Sequence, residues 1–369
     1  MTTSLVRSSG PATSPLGHAV ESPYSARFPT ESIRGDIRAA IVVSGGWSQA
    51  WGRTRERGVP EFVHRPVMAE EVVELLTPVP PGLIVDATVG GGGHARLLLG
   101  AMPHVHLLGI DRDPDAVVAA REALAGFGRR ARVVRGGFED LAGIVSNESE
   151  GDIVGILFDL GLSSPQVDRP ERGFSYWADA PLDMRMDSAQ ELTAEQVVNT
   201  YSEADLAAII ANNGEERFAR RIARGIVRAR PLHTTRDLAD VIKDAIPAPA
   251  RRRGRHPARR TFQAIRMEVN RELPNLGAGL DESVHLLTPG GRILVVAYHS
   301  LEDRIVKQRF AGWAARTDPT PPGMPVERRL DPLVNLLTRR PRRPTAAEIA
   351  DNPRSASARL RAAEKLPVP

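Results

Sequence analysis

Cysteine is absent from this chain of 369 residues. Its absence excludes disulfide bonds, thiolate metal sites and cysteine nucleophiles. Lysine is also scarce, because only Lys243, Lys307 and Lys365 occur beside a large number of arginines. Arginine therefore supplies nearly all of the positive charge, and clustered arginines bind phosphate and stack on nucleic-acid bases.

Long hydrophobic runs are missing as well. No apolar run approaches the roughly 20 residues of a membrane-spanning helix, and the N-terminus lacks the apolar segment of a signal peptide. We therefore expect a cytoplasmic protein with no membrane partner. The formal net charge of +4 and the 41% of hydrophobic residues are those of an ordinary globular protein, and the length allows two domains.

The residue pattern changes several times along the chain. Residues 1–60 are rich in Ser, Gly, Pro and Arg and predict a disordered leader. Strands and helices alternate over 61–169 and again over 276–315, which predicts one α/β domain. Residues 170–275 have helical apolar spacing and no convincing strand, which predicts an inserted helical domain for substrate recognition. The Pro- and Arg-rich residues 316–369 predict an irregular C-terminal tail with room for one more strand.

Apolar runs of strand length recur at regular intervals. Helices are predicted to follow Gly93 and Pro114 and to cover Leu280–Leu287, with a turn at Pro289–Gly291. Strand–helix repeats of this length indicate a parallel, doubly wound, Rossmann-like sheet. The predicted strands are Leu83–Asp86, His106–Asp111, Ala131–Arg135, Ile153–Asp159 and Arg292–Tyr298.

A loop of four glycines, Gly90–Gly93, follows the first predicted strand, and Asp111 ends the second. In a Rossmann-like sheet this order binds an adenosine-bearing cofactor, because the glycines let the backbone approach it and the acid can bind both ribose hydroxyls. The glycines are contiguous, unlike a dinucleotide fingerprint, and no P-loop lysine follows them. The strand-end acid Asp86 would repel a pyrophosphate but suits a cationic amino-acid end, which favours S-adenosylmethionine. Methyl transfer from that cofactor needs no metal, and none is expected.

A second polar loop follows the fourth predicted strand. Asp159 ends that strand, and Ser163, Ser164 and Gln166 offer hydrogen bonds to a base or to the cofactor. Ligands bind beyond the carboxyl ends of the strands in a doubly wound sheet. We therefore expect this loop to face the same crevice as Asp111.

Several longer strings resemble the bacterial 16S rRNA cytidine N4-methyltransferases. They are Asp159–Gln166, Glu171–Ser175, Pro181–Asp187, Gly214–Phe218, His256–Arg266 and His299–Arg304. The resemblance runs from about His64 to Lys307 and resumes at Asn352–Ala356. Where the family more often reads His-Pro-Ala-Thr-Arg, this chain has two arginines, Arg259 and Arg260, after Ala258.

The resemblance implies a fold, a reaction and a cofactor site. The fold is a Rossmann-like S-adenosylmethionine-dependent methyltransferase sheet with an inserted helical domain. The reaction is methyl transfer to the exocyclic N4 of a cytidine in the decoding region of 16S rRNA, with the small ribosomal subunit as partner and a homodimer left open. The implied cofactor contacts are Gly92, Gly93 and His94 at the methionine end, Asp111 at the ribose, Phe138 at the adenine, and Asp159 and Gln166 near the reactive methyl.

Substrate contacts are predicted at three places. The RNA phosphates are expected at Arg251, Arg252, Arg253, Arg255 and Arg260, because such an arginine run binds backbone phosphate without sequence specificity. Ser163, Ser164 and Pro165 replace the Asn/Asp-Pro-Pro-Tyr loop of many amino-methyltransferases. Because no aromatic lies in that loop, Phe174, Tyr176 or Trp177 is left to stack on the base, although each can equally pack in a core.

Two alternative functions stay open. A DNA amino-methyltransferase would use the same chemistry, but the missing Asn/Asp-Pro-Pro-Tyr loop speaks against it. A non-catalytic RNA-binding ribosome-assembly factor would keep only the fold, but intact Gly93, Asp111 and Asp159 speak against that. No catalytic residue is identified, because the delocalised lone pair of an exocyclic amine needs positioning more than a strong base.

Overall fold

A seven-stranded sheet organises the protein. The structure, a computed structural model, describes residues 66–149, 151–163, 166, 169–251, 256–315 and 330–367. The strands are β1 Gly82–Asp86, β2 Val105–Asp111, β3 Ala131–Arg135, β4 Ile153–Asp159, β5 Leu287–Ala297, β6 Val334–Leu336 and β7 Arg359–Lys365. They lie in the order β3-β2-β1-β4-β5-β7-β6. The first five run parallel, and β7 pairs antiparallel with both β5 and β6.

Helices cover both faces of the sheet. On one face α1 Ala69–Leu76, α2 Gly93–Ala101 and α3 Pro114–Leu124 share an apolar core with the strands. On the other face the core includes residues of α4 Leu141–Glu148, α11 Glu272–Leu286 and α12 Ser300–Ala314. The Rossmann-like α/β arrangement expected from the sequence is therefore the observed one.

The strands β1–β4 follow the sequence prediction closely, but the fifth parallel strand, β5, does not. It begins at Leu287, so the predicted turn at Pro289–Gly291 is wrong. Ile153 of β4 pairs with Leu287 and Gly155 pairs with Arg292, so the intervening residues of β5 form a bulge. Gly290 has a φ of 82° there, which explains why the segment resembles a turn in sequence.

The C-terminal region is part of the sheet, which corrects the predicted irregular tail over 316–369. Within its described part, 330–367, it forms β6, α13 Ala346–Asp351 and β7. β7 lies between β5 and β6, with Leu360, Ala362 and Ala363 buried. The strand was hard to recognise because four of its seven residues are charged.

Among the described residues between β4 and β5, six helices share a core of their own. They are α5 Ala194–Thr200, α6 Glu203–Asn212, α7 Ala219–Ala229, α8 Thr235–Ala245, α9 Ala248–Arg251 and α10 Arg259–Val269. Thr193, Ser202 and Thr234 each accept a backbone N–H at a helix start, which explains three of the boundaries. No helix in the described ranges is long and apolar enough to cross a membrane. That these helices form a separate domain stays a prediction.

Candidate functional site

Four parallel strands bring polar side chains to one edge of the sheet. β1 ends at Asp86, β2 at Asp111 and β4 at Asp159, while Tyr298 directly follows β5. The hydroxyl of Tyr298 donates to Oδ1 of Asp159 over 2.8 Å. The two strand-end loops expected to face one crevice therefore do so, together with the end of β5.

Asp111 holds the glycine loop in place. Its Oδ2 accepts the N–H of Gly90 at 2.9 Å, and its Oδ1 accepts the N–H of Asp113 at 2.9 Å. Burial raises the pKa of Asp111 to about 6, although these two donors oppose the shift. Each carboxylate oxygen keeps a second lone pair, so the half-buried group can accept two further hydrogen bonds.

Two of the loop glycines, Gly92 and Gly93, are required by backbone conformation and packing as well as by access. Gly92 precedes α2 with a left-handed φ of 80° and is buried. A Cβ on Gly93 would lie 2.6 Å from Cγ of Pro66. Side chains at either position would therefore displace the start of α2 and the loop above β1.

His94 lies beneath the loop beside Asp159. Nε2 of His94 is 3.4 Å from Oδ2 of Asp159, the distance of an ion pair rather than of a short hydrogen bond, and both ring nitrogens are buried. Burial disfavours the charged ring, but Asp159 outweighs it and raises the pKa of His94. Both ring nitrogens are among the buried side-chain atoms without a well-formed hydrogen-bond partner within the described residues, as is Oγ of Ser163 in the β4 loop.

A buried chain of side chains connects β1 to β4. Oδ1 of Asp86 accepts the N–H of Thr88, and Oγ1 of Thr88 accepts the N–H of Asp159 at 2.7 Å. Asp86 is 1% exposed, and burial raises its pKa from 3.8 to about 7. The hydroxyl of Tyr298 is buried too, and its burial, together with the nearby Asp159, raises its pKa well above 10. Tyr298 therefore stays a hydrogen-bond donor at neutral pH.

Gln166 closes this edge from the β4 loop. Its Nε2 donates to Oδ2 of Asp113 at 2.9 Å, and its Oε1 accepts the N–H of Ser163 at 3.0 Å. The guanidinium of Arg172 donates to the same Asp113 oxygen at 3.0 Å. Asp113 thus ties the β4 loop, and the chain that leads to the helices α5–α10, to the end of β2.

Phe138 lies in a short 3₁₀ turn after β3 and is half-buried. Its ring packs edge-to-face against Phe158, with centroids 5.6 Å apart, and the Arg112 guanidinium lies 5.6 Å from its centroid. Part of the ring is accessible beside Asp111's strand. The geometry is compatible with both a core role and the predicted contact with an adenine.

The predicted substrate arginines are described only in part, since Arg252, Arg253 and Arg255 lie outside the described residues, as do Ser164 and Pro165. Arg251 donates to the carbonyl of Ile246 at 2.7 Å. Arg260 donates to the carbonyl of Glu215 at 3.0 Å and is 57% exposed. Both arginines are therefore partly used by the protein's own fold.

The three aromatic candidates for base stacking have different surroundings. Phe174 is buried in the core of the helices α5–α10, so the structure assigns it to packing. Tyr176 stacks on His256, with ring centroids 4.6 Å apart and planes 10° from parallel. Trp177 is 74% exposed and is tilted over the same His256 ring at 4.7 Å.

A cluster behind Tyr298 contains three groups that metals can use: Glu272, His299 and Glu302. Arg266 already donates to both carboxylate oxygens of Glu272 at 2.7 Å. Burial would raise the pKa of Glu302, but His299 and the backbone N–H of Tyr298 outweigh it and lower this pKa. The cluster is thus an ion-pair network that fixes the start of α12.

Four residues of the site were missed by sequence reasoning as members of it. Thr88, Asp113 and Tyr298 contact predicted site residues, and Arg172 contacts Asp113. Tyr298 is the last residue of a predicted strand, and strand ends point to this edge, so position alone could have identified it. Arg172 could not be found in this way, because its contact with Asp113 spans 59 residues.

Comparison with known proteins gives a consistent result. Residues 61–366 match the MraW methylase family. Ribosomal RNA small subunit methyltransferase H of Mycobacterium sp. (strain KMS) is 53% identical over 312 residues, which cover 82% of this chain and 84% of that protein. The protein of the same name from Acidothermus cellulolyticus is 52% identical over 83% of this chain and 95% of its own. A putative rRNA-methylase structure from Clostridium thermocellum covers 82% of this chain and 100% of its own at 11% identity, but its TM-score of 0.39 is too low to carry an inference.

Proposed function

Because this chain belongs to the MraW methylase family, we propose that it methylates the 16S rRNA of the small ribosomal subunit with S-adenosylmethionine. We further propose that the acceptor is the exocyclic N4 of a cytidine in the decoding region. The observation that carries the proposal is the shared edge formed by the glycine loop, Asp111 and the Asp159–Tyr298 pair.

Several features of the site fit such a cofactor. The carboxylate of Asp111 is oriented by two backbone donors and can still accept two ribose hydroxyls. Phe138 offers an apolar surface for the adenine. The loop at Gly92 and Gly93 and the His94 ring, whose Nδ1 has no hydrogen-bond partner among the described residues, would line the methionine end. Gln166, engaged with Asp113 and Ser163, would act by fixing the loop around the cofactor.

The cofactor supplies a methyl group activated by a sulfonium, and the chain's own residues must position the amine that attacks it. Asp159 is an acceptor whose Oδ1 is fixed by Tyr298 and whose Oδ2 lies beside His94. An N–H of the cytidine amine donating to this carboxylate would localise the lone pair on N4 and align it. We propose this orienting role for Asp159, near the reactive methyl.

The helices α5–α10 are the proposed substrate-recognition domain, and Trp177 is the proposed stacking residue. Among the described residues only Val118 and Trp177 are large hydrophobic side chains that are exposed. Tyr176 and His256 support Trp177 from below, which keeps its ring in a fixed orientation. Base–aromatic stacking contributes about 1–3 kcal/mol per base, so an ordered, exposed indole is a suitable contact for an unpaired nucleotide.

The test is transfer of a labelled methyl group from S-adenosylmethionine to purified small subunits, naked 16S rRNA and duplex DNA. We expect label in rRNA and, after digestion to nucleosides, in N4-methylated cytidine. Label only in DNA would select a DNA amino-methyltransferase. No label in any substrate, with intact RNA binding, would select a non-catalytic assembly factor.

Trp177 is tested in the same assay. Trp177→Ala should raise KM for rRNA about 5- to 100-fold, from the loss of one stacking interaction, while Trp177→Phe should retain most of the affinity. Cofactor affinity should not change in either variant, because Trp177 does not contact the strand-end residues. A KM for rRNA in Trp177→Ala equal to the wild-type value would remove Trp177 from substrate binding.

A further inference from the structure

One face of α7 carries arginines that the fold leaves unused. Arg220, Arg221, Arg224 and Arg228, here called the arginine face, are all exposed. At 3.6 residues per turn they fall within an arc of about 100° and extend over about 12 Å of the helix. The opposite side of α7 is buried, with Ala219, Ile222, Ala223 and Ile226 in the core of the helices α5–α10.

The guanidinium groups of this face have few acidic partners. Arg224 lies 3.4 Å from Glu203, a contact between two exposed side chains that contributes little. Within the described part of the chain, the side chains of Arg220, Arg221 and Arg228 form no hydrogen bond or ion pair. Exposed arginines elsewhere are often paired, as Arg132 is with Glu148 and Arg309 with Asp281. A row of unpaired positive charges on one rigid helix matches a partner with regularly spaced negative charges.

The arginine face starts close to the candidate site. Glu215, four residues before α7, accepts hydrogen bonds from Ser300 and Arg304 at the start of α12. Ser300 follows Tyr298 by two residues, and Tyr298 binds Asp159. The segment just before α7 is therefore connected through Glu215 to the start of α12, which follows the strand end that holds Tyr298.

We propose that the arginine face binds the phosphate backbone of the RNA that flanks the target nucleotide. The proposal rests on the proposed function, because it takes ribosomal RNA as the substrate. Arginine binds phosphate through several donors at once, and such contacts position a nucleic acid without reading its sequence. A membrane surface fits less well, because the apolar side of α7 is buried in the protein and cannot insert into lipid.

The test compares two triple variants of the full chain. Arg220→Gln/Arg221→Gln/Arg228→Gln removes three unpaired charges from α7. Arg129→Gln/Arg339→Gln/Arg340→Gln removes three exposed charges elsewhere and is the control. Glutamine has nearly the helix propensity of arginine, so α7 should stay helical, and unchanged cofactor affinity checks the fold.

Binding of a fluorescently labelled RNA hairpin is measured between about 50 and 200 mM salt. For the α7 variant we expect affinity at the lowest salt to fall at least about tenfold and the slope of log K against log salt to fall by about two to three. The control should keep the wild-type slope. Equal slopes for the two variants would overturn the proposal. It would also be overturned if the wild-type protein bound anionic vesicles as tightly as RNA and the α7 variant lost that binding.

Methyl transfer by the same proteins separates this proposal from the function it rests on. If rRNA is methylated and the α7 variant shows an increased KM for rRNA, the proposed function and the arginine-face proposal are both supported. If rRNA is methylated but the α7 variant has the wild-type KM and salt slope, only the arginine face is rejected. If wild-type protein methylates no rRNA while the slopes still differ, the proposed function fails and the α7 phosphate contact remains.

Discussion

Asp111 serves the fold and the proposed cofactor contact with the same two oxygen atoms. Its carboxylate holds the N–H groups of Gly90 and Asp113, and its remaining lone pairs are the proposed ribose contacts. Removing the whole side chain would disturb both roles together. Asparagine keeps the side-chain shape and one acceptor oxygen, but its amide nitrogen loses one backbone contact together with one ribose contact.

Asp111→Asn should weaken S-adenosylmethionine binding by about 1–3 kcal/mol, because one ribose hydroxyl and one of the two backbone N–H groups lose their acceptor oxygen. Calorimetric titration of the cofactor measures this change directly. Asp152→Asn is the control, because Asp152 is exposed at the opposite edge of the sheet, just before β4. Unchanged affinity in Asp111→Asn would exclude the ribose contact.

The burial of Asp86 predicts a dependence of stability on pH. Its pKa rises from 3.8 to about 7 on folding, so the folded state binds the proton more tightly. The stabilisation is complete below about pH 4 and is lost as the pH rises towards 7, by roughly 4 kcal/mol in total. The raised pKa values of Asp111 and His94 act in the same direction.

Asp86→Asn mimics the protonated acid and should therefore unfold with less dependence on pH. We expect the variant to be more stable than the wild type by a wider margin at pH 8 than at pH 5, because the wild type loses more of this stabilisation as the pH rises towards 7. Urea denaturation at both pH values gives the two free energies of unfolding. If the free energy of unfolding fell by the same amount in wild type and variant between these pH values, Asp86 would be ionised in the folded protein.

At the scale of elements, the start of α2 shows which glycines the loop needs for its shape. Gly92 has a φ of 80°, and a Cβ there would lie 3.4 Å from atoms of Ala120 and Ala123. Gly91 has no such φ, and its Cβ would meet nothing within 4 Å. The run of glycines in the sequence does not distinguish these two neighbours, because their difference lies in the backbone that α3 packs against.

Gly92→Ala should therefore destabilise the protein by about 1–3 kcal/mol, the cost of a strained left-handed residue. Gly91→Ala should change the free energy of unfolding by less than about 0.5 kcal/mol. Both values come from urea denaturation at constant pH. A loss of the same size in the two variants would mean that the loop adopts another conformation in solution.

For the whole molecule, the sequence predicts the parallel half of the sheet, but for the antiparallel half it allows only one strand without a position in the C-terminal tail. Strands such as Ile153–Asp159 are apolar runs bounded by acids, so local pattern is enough. β7 is different, because Arg361 pairs with Asp303 and Glu364 pairs with Arg292. A buried charge is acceptable only with its distant partner, and local pattern does not contain that partner.

Because β7 pairs with residues far away in the sequence, we expect the protein to need this strand in order to fold. Ending the chain at Leu330 would remove β6 and β7, uncover Arg292–Ala297 of β5, and leave Arg292 and Asp303 without these partners. We expect an insoluble or aggregated product, because an uncovered apolar strand edge pairs with other chains. A chain that ends at Pro367 keeps β7 and should melt like the full chain. A soluble Leu330 product with the wild-type melting temperature would show that the parallel strands fold without β7.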